Sequence, residues 1–221
     1  MILFLKRTFK QLHFFLTHRR QRIFMWLLLR YSGRKRFDPL AIHTDGMHFS
    51  LPDAASFVWQ YKDIFTDENY LFHTQTPEPI ILDCGANVGS SVMYFKHLYP
   101  NSQVIAYEAD PLIARYLEQN VASNKLTGVQ IVNKALWIHN QGIEMASEGA
   151  DGGGIFAQGQ KQQLPSVRLR NELEKYTHID MLKIDIEGAE YEVLADCADR
   201  LEHVAHLFIE FHSYMGESQR L

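Results

Sequence analysis

The stretch ILDCGANVGSSVMYF (81–95) sets Asp83, Gly85, Asn87 and Gly89 between an apolar run and a helix-like pattern. A strand-to-helix turn with so little side chain brings backbone close to a ligand at the end of a strand. The spacing is Asp-x-Gly-x-Asn-x-Gly. It is neither the dinucleotide fingerprint GxGxxG nor the phosphate loop GxxxxGK[ST], because no lysine follows. The turn therefore suits a nucleoside-like ligand without a pyrophosphate, and Gly85 and Gly89 permit close backbone approach. Glu108 lies 19 residues after Gly89, at the end of the next apolar run. A carboxylate there can accept from both ribose hydroxyls at once.

These residues need a frame. Short apolar runs predict strands over Ile80–Asp83, Val104–Tyr107, Val129–Val132, Met181–Asp185 and His206–Phe211. Between them lie helical patterns. Val88, Val92, Phe95 and Leu98 share one face of a helix that stops before Pro100. Asp110-Pro111 reads as an N-cap followed by proline at the first helical position. Leu112, Ile113, Tyr116, Leu117 and Val121 then share a face, and Ala189, Val193 and Leu194 point inward from a later helix. Strands alternating with helices predict an α/β fold, a mostly parallel sheet with helices on both faces. Residues 37–79 look irregular, with Pro77 and Pro79 leading extended chain into the first core strand. The glycine-rich segment 146–160 is suited to a lid or an ordinary surface loop, and Tyr70 could lie over the bound ligand.

Charge divides the chain. The net charge is −4, yet no acid precedes Asp38, and ten of the 22 Lys and Arg lie before it. The remainder holds 12 bases against 26 acids, net −14. We expect residues 1–50 to form a basic, aromatic-rich helical segment and residues 51–221 to form the main domain. The longest apolar run of the segment, 23–29, falls far short of the roughly 20 residues that span a bilayer, and no small-residue cleavage site follows it. A basic amphipathic helix could lie on an anionic membrane surface, or pack as a cap on the domain or a partner. Nucleic acid is not expected, since no binding module is recognisable. Cys84 and Cys197 stand outside any CxxC pattern and read as small buried apolar groups in a reducing compartment. The expected location is cytoplasmic, with peripheral attachment at the inner membrane face as the most the segment could add.

Five blocks together carry a resemblance: ILDCGANVGSSVMYF, IAYEADP (105–111), VNKALW (132–137), IDMLKIDIEGAEYEVL (179–194) and IEFH (209–212). They resemble the FkbM family of S-adenosylmethionine-dependent methyltransferases, over roughly residues 61–212. LKIDIEGAE (182–190) is the most specific block. The resemblance implies a Rossmann-like class I methyltransferase fold, S-adenosylmethionine as cofactor, and O-methylation of a hydroxyl on a glycan, glycolipid or polyketide-like acceptor. By position it implies that the loop with Asp83, Gly85, Ala86, Asn87 and Gly89 wraps the methionine part of the cofactor. Asn87 and adjacent amides would face the cofactor carboxylate, helped by the helix N-terminus. Glu108 and Ala109 would lie at the ribose, Asn133 and Ala135 near the adenine, and Asp185 and Glu187 at the methyl and acceptor.

Methyl transfer from a sulfonium asks the protein mainly to position the nucleophile. A general base adds about 10²–10⁴-fold. Candidates at strand ends are Asp185, Glu187, Glu190, Glu210 and His212. His212 suits base work because an unperturbed imidazole titrates near neutrality. Asp185 ends a central strand inside the strongest block. Glu187 could orient the acceptor or cap the following helix. We take Asp185, Glu187 and His212 as the catalytic set. Asp185, Glu187, Glu210 and His212 could also converge as metal ligands, but no metal is expected. Lys183 is expected to lay its stem along a helix, its ammonium at the sheet edge. Methyltransferase sheets of this type normally close with a further helix and an antiparallel strand pair, for which the residues after His212 are too few. A non-catalytic cofactor-binding or scaffold protein is the alternative. Nitrogen methylation is disfavoured because DIEGAE stands where an Asn/Asp-Pro-Pro-Tyr/Phe motif would. Acceptor pockets are built from loops, so the acceptor and the oligomeric state stay open.

Overall fold

The computed structural model describes residues 18–146 and 161–212. The chain divides into two compact units, one ending at Asn69 and the other beginning at Tyr70. The division thus falls about twenty residues beyond the expected boundary at residue 50. Segment 1–17, most of the expected lid (147–160), and everything after His212 lie outside the described residues.

In the first unit, α1 (Arg19–Tyr31) is followed by β1 (Leu40–Thr44), β2 (Met47–Leu51), α2 (Ala54–Tyr61) and a π-helical turn, Lys62–Thr66. Phe24 and Leu27 are spaced to share one face of α1, and both are buried. The expected irregular stretch is in fact regular over residues 40–66, and the expected helical segment 1–50 ends in a hairpin. The cause is Asp45-Gly46, with φ of 52° and 80°. Two residues in the left-handed region form the tight turn whose twist matches paired strands. Ile42, Thr44, Phe49 and Leu51 then point to one buried side. Asp53 caps α2, its Oδ1 accepting from the amides of Ala55 (2.7 Å) and Ser56 (3.4 Å).

The second unit is built on β3 (Ile80–Cys84), β4 (Gln103–Tyr107), β5 (Val129–Val132), β10 (Met181–Ile184) and β11 (Leu207–Ile209). They form one parallel sheet in the order β11-β10-β3-β4-β5. Each lies within one or two residues of its expected span. Helices α3 (Ser90–Leu98) and α4 (Pro111–Ser123) carry the chain outward from β3, and α6 (Glu190–Cys197) carries it from β10 to β11 on the other side. Right-handed crossovers running in opposite directions put helices on opposite faces. Asp110 caps α4 as expected, accepting from Leu112 at 2.7 Å with Pro111 in the first turn. Smaller pairs complete the unit. β6 (Ala135–Trp137) runs parallel to β9 (Ser166–Arg168), β7 (Ile143–Ala146) is antiparallel to β8 (Lys161–Leu164), and α5 is Leu169–Leu173. None of these four strands was apparent in the sequence.

Leu82, Cys84, Ile105, Tyr107, Leu182, Ile184, Val193 and Cys197 belong to one buried cluster. Both cysteines are free and buried, as expected. A strand covered on both faces should be apolar throughout. β3 and β10 each break that rule once, at Asp83 and Lys183, which are register partners. Register partners side by side on one face can interact directly. That pair is the first sign of the site.

Candidate active site at the switch point

The chain leaves β3 toward β4 and later returns to β10 on the other side of β3. Ligands of open α/β sheets sit where strand order reverses in this way, beyond the carboxyl ends. The backbones after β3 and β10 touch there. A Cβ on Gly85 would lie 1.7 Å from the Asp185 carbonyl oxygen, and Gly85 has φ +83°. No other residue fits that position.

Glu108 follows β4. Its Oε2 accepts from the Asn87 amide at 2.9 Å and its Oε1 from the Asp110 amide at 2.8 Å. Each oxygen therefore keeps a lone pair for another donor. The half-buried carboxyl loses hydration, which pushes it up to about 7 against the lowering effect of the two amides. Asn133 donates from Nδ2 to the carbonyls of Glu108 (2.8 Å) and Ala109 (3.1 Å), so it holds the Glu108 turn. Ala135 is buried in β6, its amide donating to the Pro165 carbonyl. Its side chain packs toward the interior at the start of β6.

The loop after β3 also differs from expectation. The Gly85 and Ala86 amides both donate to the Tyr107 carbonyl, at 3.0 and 2.9 Å. The Asn87 amide is taken by Glu108, the Val88 amide by Asn87 Oδ1 (2.7 Å), and the Gly89 amide by the Ala86 carbonyl (2.9 Å). Three of these amides are thus taken by the β4 end, at Tyr107 and Glu108, and two by the loop itself. Positive φ at Asn87 (50°) and Gly89 (91°) makes that turn possible.

Asp83 is wholly buried rather than ligand-facing. Its Oδ2 accepts from Ser91 Oγ at 2.5 Å, and its Oδ1 lies 3.3 Å from Lys183 Nζ. Lys183 is the residue that sequence reasoning misplaced. Its ammonium is interior, not at an edge, and the side chain is 2% exposed. It donates to the Gly85 carbonyl at 2.7 Å, lies 3.3 Å from Asp185 Oδ2, and sits 5.5 Å from the centre of the Tyr70 ring. Burial works against its charge, but Asp83 and Asp185 outweigh burial and hold the ammonium well above its ordinary range. Tyr70 is buried beneath this cluster, packed on Phe95 and Phe208, rather than lying over a ligand. An isolated lysine between two acids in otherwise apolar strands was the available signal.

Asp185, Glu187 and His212 do come together. His212 Nε2 lies 3.8 Å from Asp185 Oδ1 and 3.6 Å from Glu187 Oε2. Its Nδ1 lies 3.2 Å from Oε1 of the buried Glu190. Glu190 also accepts from the amides of Ile186 and Gly188 (both 3.1 Å). Those turn amides are thus held by Glu190, not by Glu187. Burial opposes the Glu190 charge, yet its bonds from His212 and Gly188 bring the carboxyl below its ordinary value. The bond to Glu190 pushes His212 up to about 9, opposed by burial and helped by Glu187 and Asp185. The imidazole carries its proton at neutral pH. The expectation of a neutral base there rested on an unperturbed pKa, and three carboxylates remove that condition.

A parallel sheet of this order, an acid at the end of its second strand, and an open strand-to-helix turn define a Rossmann-like class I methyltransferase fold. The chain belongs to the FkbM methyltransferase family: the methyltransferase FkbM domain matches residues 83–220. Methyltransferase sdnD of Sordaria araneosa is 28% identical over 199 residues, covering 71% of this chain and 74% of that protein. The 2-O-methyltransferase NoeI of Sinorhizobium fredii is 24% identical over 159 residues, covering 62% of this chain and 65% of that protein. Among solved structures, methyltransferase FkbM from Methylobacillus flagellatus superposes with a TM-score of 0.45 at 14% identity, over 68% of this chain and 38% of that one. The chain thus spans 65% to 74% of these curated relatives and 38% of that solved structure.

Membership in this family brings S-adenosylmethionine as cofactor, and the donor set at the β4 end fits it. A vicinal diol needs two acceptors side by side. Glu108 offers both oxygens, each already oriented by one amide.

Proposed function

We propose that this chain is an S-adenosylmethionine-dependent methyltransferase acting on a hydroxyl oxygen of a glycan, glycolipid or polyketide-like acceptor. The observation that carries the reading is the Glu108 carboxylate, held at the switch point by one amide from each of the two adjacent loops. The NoeI relative is a 2-O-methyltransferase, which favours oxygen as the acceptor atom.

S-adenosylmethionine, when bound, supplies a methyl group on a sulfonium. Glu108 would hold the ribose, with Gly85, Asn87 and Ala109 along the same rim. Asp83 acts through Ser91 and Lys183, and Asn133 through the Glu108 turn, so both are positioning residues. Asp185 and Glu187 would accept a hydrogen bond from the acceptor hydroxyl and orient its oxygen. The His212 imidazolium bridges those two carboxylates and limits their repulsion.

The test is titration calorimetry of the full chain with S-adenosylmethionine and S-adenosylhomocysteine, with Glu108→Ala as control. Micromolar binding that the control loses supports the reading and justifies acceptor screening. A folded chain that binds neither ligand sinks it and favours a scaffold role.

We further propose that the first unit attaches to an anionic membrane surface at the cytoplasmic face. Trp26 and Leu29, 49% and 82% exposed, lie among the arginines of α1, and Trp59 of α2 is 55% exposed, a composition that suits an interface. Among the described residues no helix is long and apolar enough to cross a membrane. Flotation with phosphatidylserine vesicles checks this, and no binding at low salt would remove the idea.

A further inference from the structure

Asp185, Glu187 and His212 each offer one ligand atom within 4.8 Å of the others. We propose that these three side chains form a binding site for one divalent cation of the manganese type. Its role, holding the acceptor oxygen, rests on the methyltransferase reading above.

The imidazole is oriented as a ligand must be. Glu190 is 1% exposed and accepts at His212 Nδ1 (3.2 Å). A carboxylate on Nδ1 fixes the tautomer and leaves Nε2 as the donor atom toward the metal. Nε2 points at Asp185 and Glu187, at 3.8 and 3.6 Å. Ligands about 2.1 Å from a shared ion lie roughly 3.0–3.4 Å apart in octahedral or tetrahedral arrangement. A contraction of a few tenths of an ångström about the imidazole, and of up to roughly 1.4–1.8 Å between the two carboxylates, would seat the ion. Two oxygens and one nitrogen suit manganese better than magnesium or a thiolate-preferring metal.

The scaffold is also suitable. The ligands follow β10 and β11, which are locked in register by Ile184 against Ile209. The side chains of Asp185, Glu187 and His212 remain 23%, 32% and 26% exposed, which leaves coordination positions for water and an acceptor oxygen. In the metal-free chain the imidazolium bridges the two carboxylates; the cation would displace the Nε2 proton to solvent, and neutral His212 would stay as a ligand.

The test uses the full chain after chelator treatment, titrated with manganese(II) chloride and followed by electron paramagnetic resonance and calorimetry. The expected result is one saturable ion per chain, with electron spin echo modulation from a single imidazole nitrogen. Glu187→Gln should weaken binding about 10–100-fold, and His212→Gln should also abolish the nitrogen modulation. Glu118→Gln, on the exposed side of α4, should leave both unchanged. Absence of saturable binding, absence of the nitrogen signal, or binding unchanged in both Glu187→Gln and His212→Gln would overturn the proposal. If Glu187→Gln loses its native circular dichroism, His212→Gln decides. The titration contains no S-adenosylmethionine, so its outcome and that of the cofactor titration stand independently.

Discussion

Replacing Lys183 with methionine keeps the aliphatic stem and removes the ammonium. What remains is Asp83, wholly buried, with the Ser91 hydroxyl on one oxygen and nothing cationic at 3.3 Å from the other. Asp185 loses its partner at 3.3 Å, and the Gly85 carbonyl loses its 2.7 Å donor. Breaking a buried pair by removing one member costs about 3–5 kcal/mol, because a charge is left uncompensated. With a urea slope of about 2 kcal/mol/M, the midpoint of the second unit should fall by roughly 1.5–2.5 M. Trp137 can report on that unit in a background where Trp26 and Trp59, both about half exposed, are phenylalanine. Adding Asp83→Asn to Lys183→Met should restore a large part of the loss, a coupling of about 2 kcal/mol or more. A single variant that costs under about 1 kcal/mol, or a double variant whose costs simply add, would refute the claim that this pair holds the loop.

Glu108 titrates near 7, above the usual carboxyl value. Folding therefore favours its protonated form, and its contribution to stability is present below about pH 4.5 and lost as pH rises through about 7. Cofactor affinity runs the other way if the ionised carboxylate holds the diol. Affinity should rise about tenfold from pH 6 to pH 8 in calorimetric titrations, and a flat profile, or one unchanged in Glu108→Gln, would contradict the assignment. Gly85→Ala places a Cβ 1.7 Å from the Asp185 carbonyl oxygen at φ +83° and should cost more than about 2 kcal/mol in urea unfolding. Gly33→Ala, with nothing within 4 Å of the added Cβ, is the near-neutral control. Tyr107→Phe removes the bond to Glu172 at 2.7 Å and should cost about 1–2 kcal/mol. It should leave cofactor affinity unchanged, and an altered affinity in calorimetry would place Tyr107 in the binding machinery instead.

Much of this protein could be read from local pattern. The five core strands, the helices between them and the Asp110 cap follow from periodicity and capping chemistry, which act within a few residues. The positions of Gly85 and Glu108 followed as well, because a strand-end turn and the acid after the next strand sit at fixed distances along the chain. The Asp45-Gly46 hairpin was equally local and was legible, but its strands are short and their apolar content modest. Sheet pairing decided the rest. Lys183 and Asp83 lie one hundred residues apart in sequence and side by side in register, so no spacing rule could join them. The amides of Gly85, Ala86 and Asn87 are satisfied by the Tyr107 carbonyl and by Glu108, both from the end of another strand. His212 changed character for the same reason. Its residue type suggested a base, but Glu190, Glu187 and Asp185 reach it from another strand end and hold its proton. Sequence determines what each side chain can do, while the field around a titratable group is set by neighbours that only folding assembles.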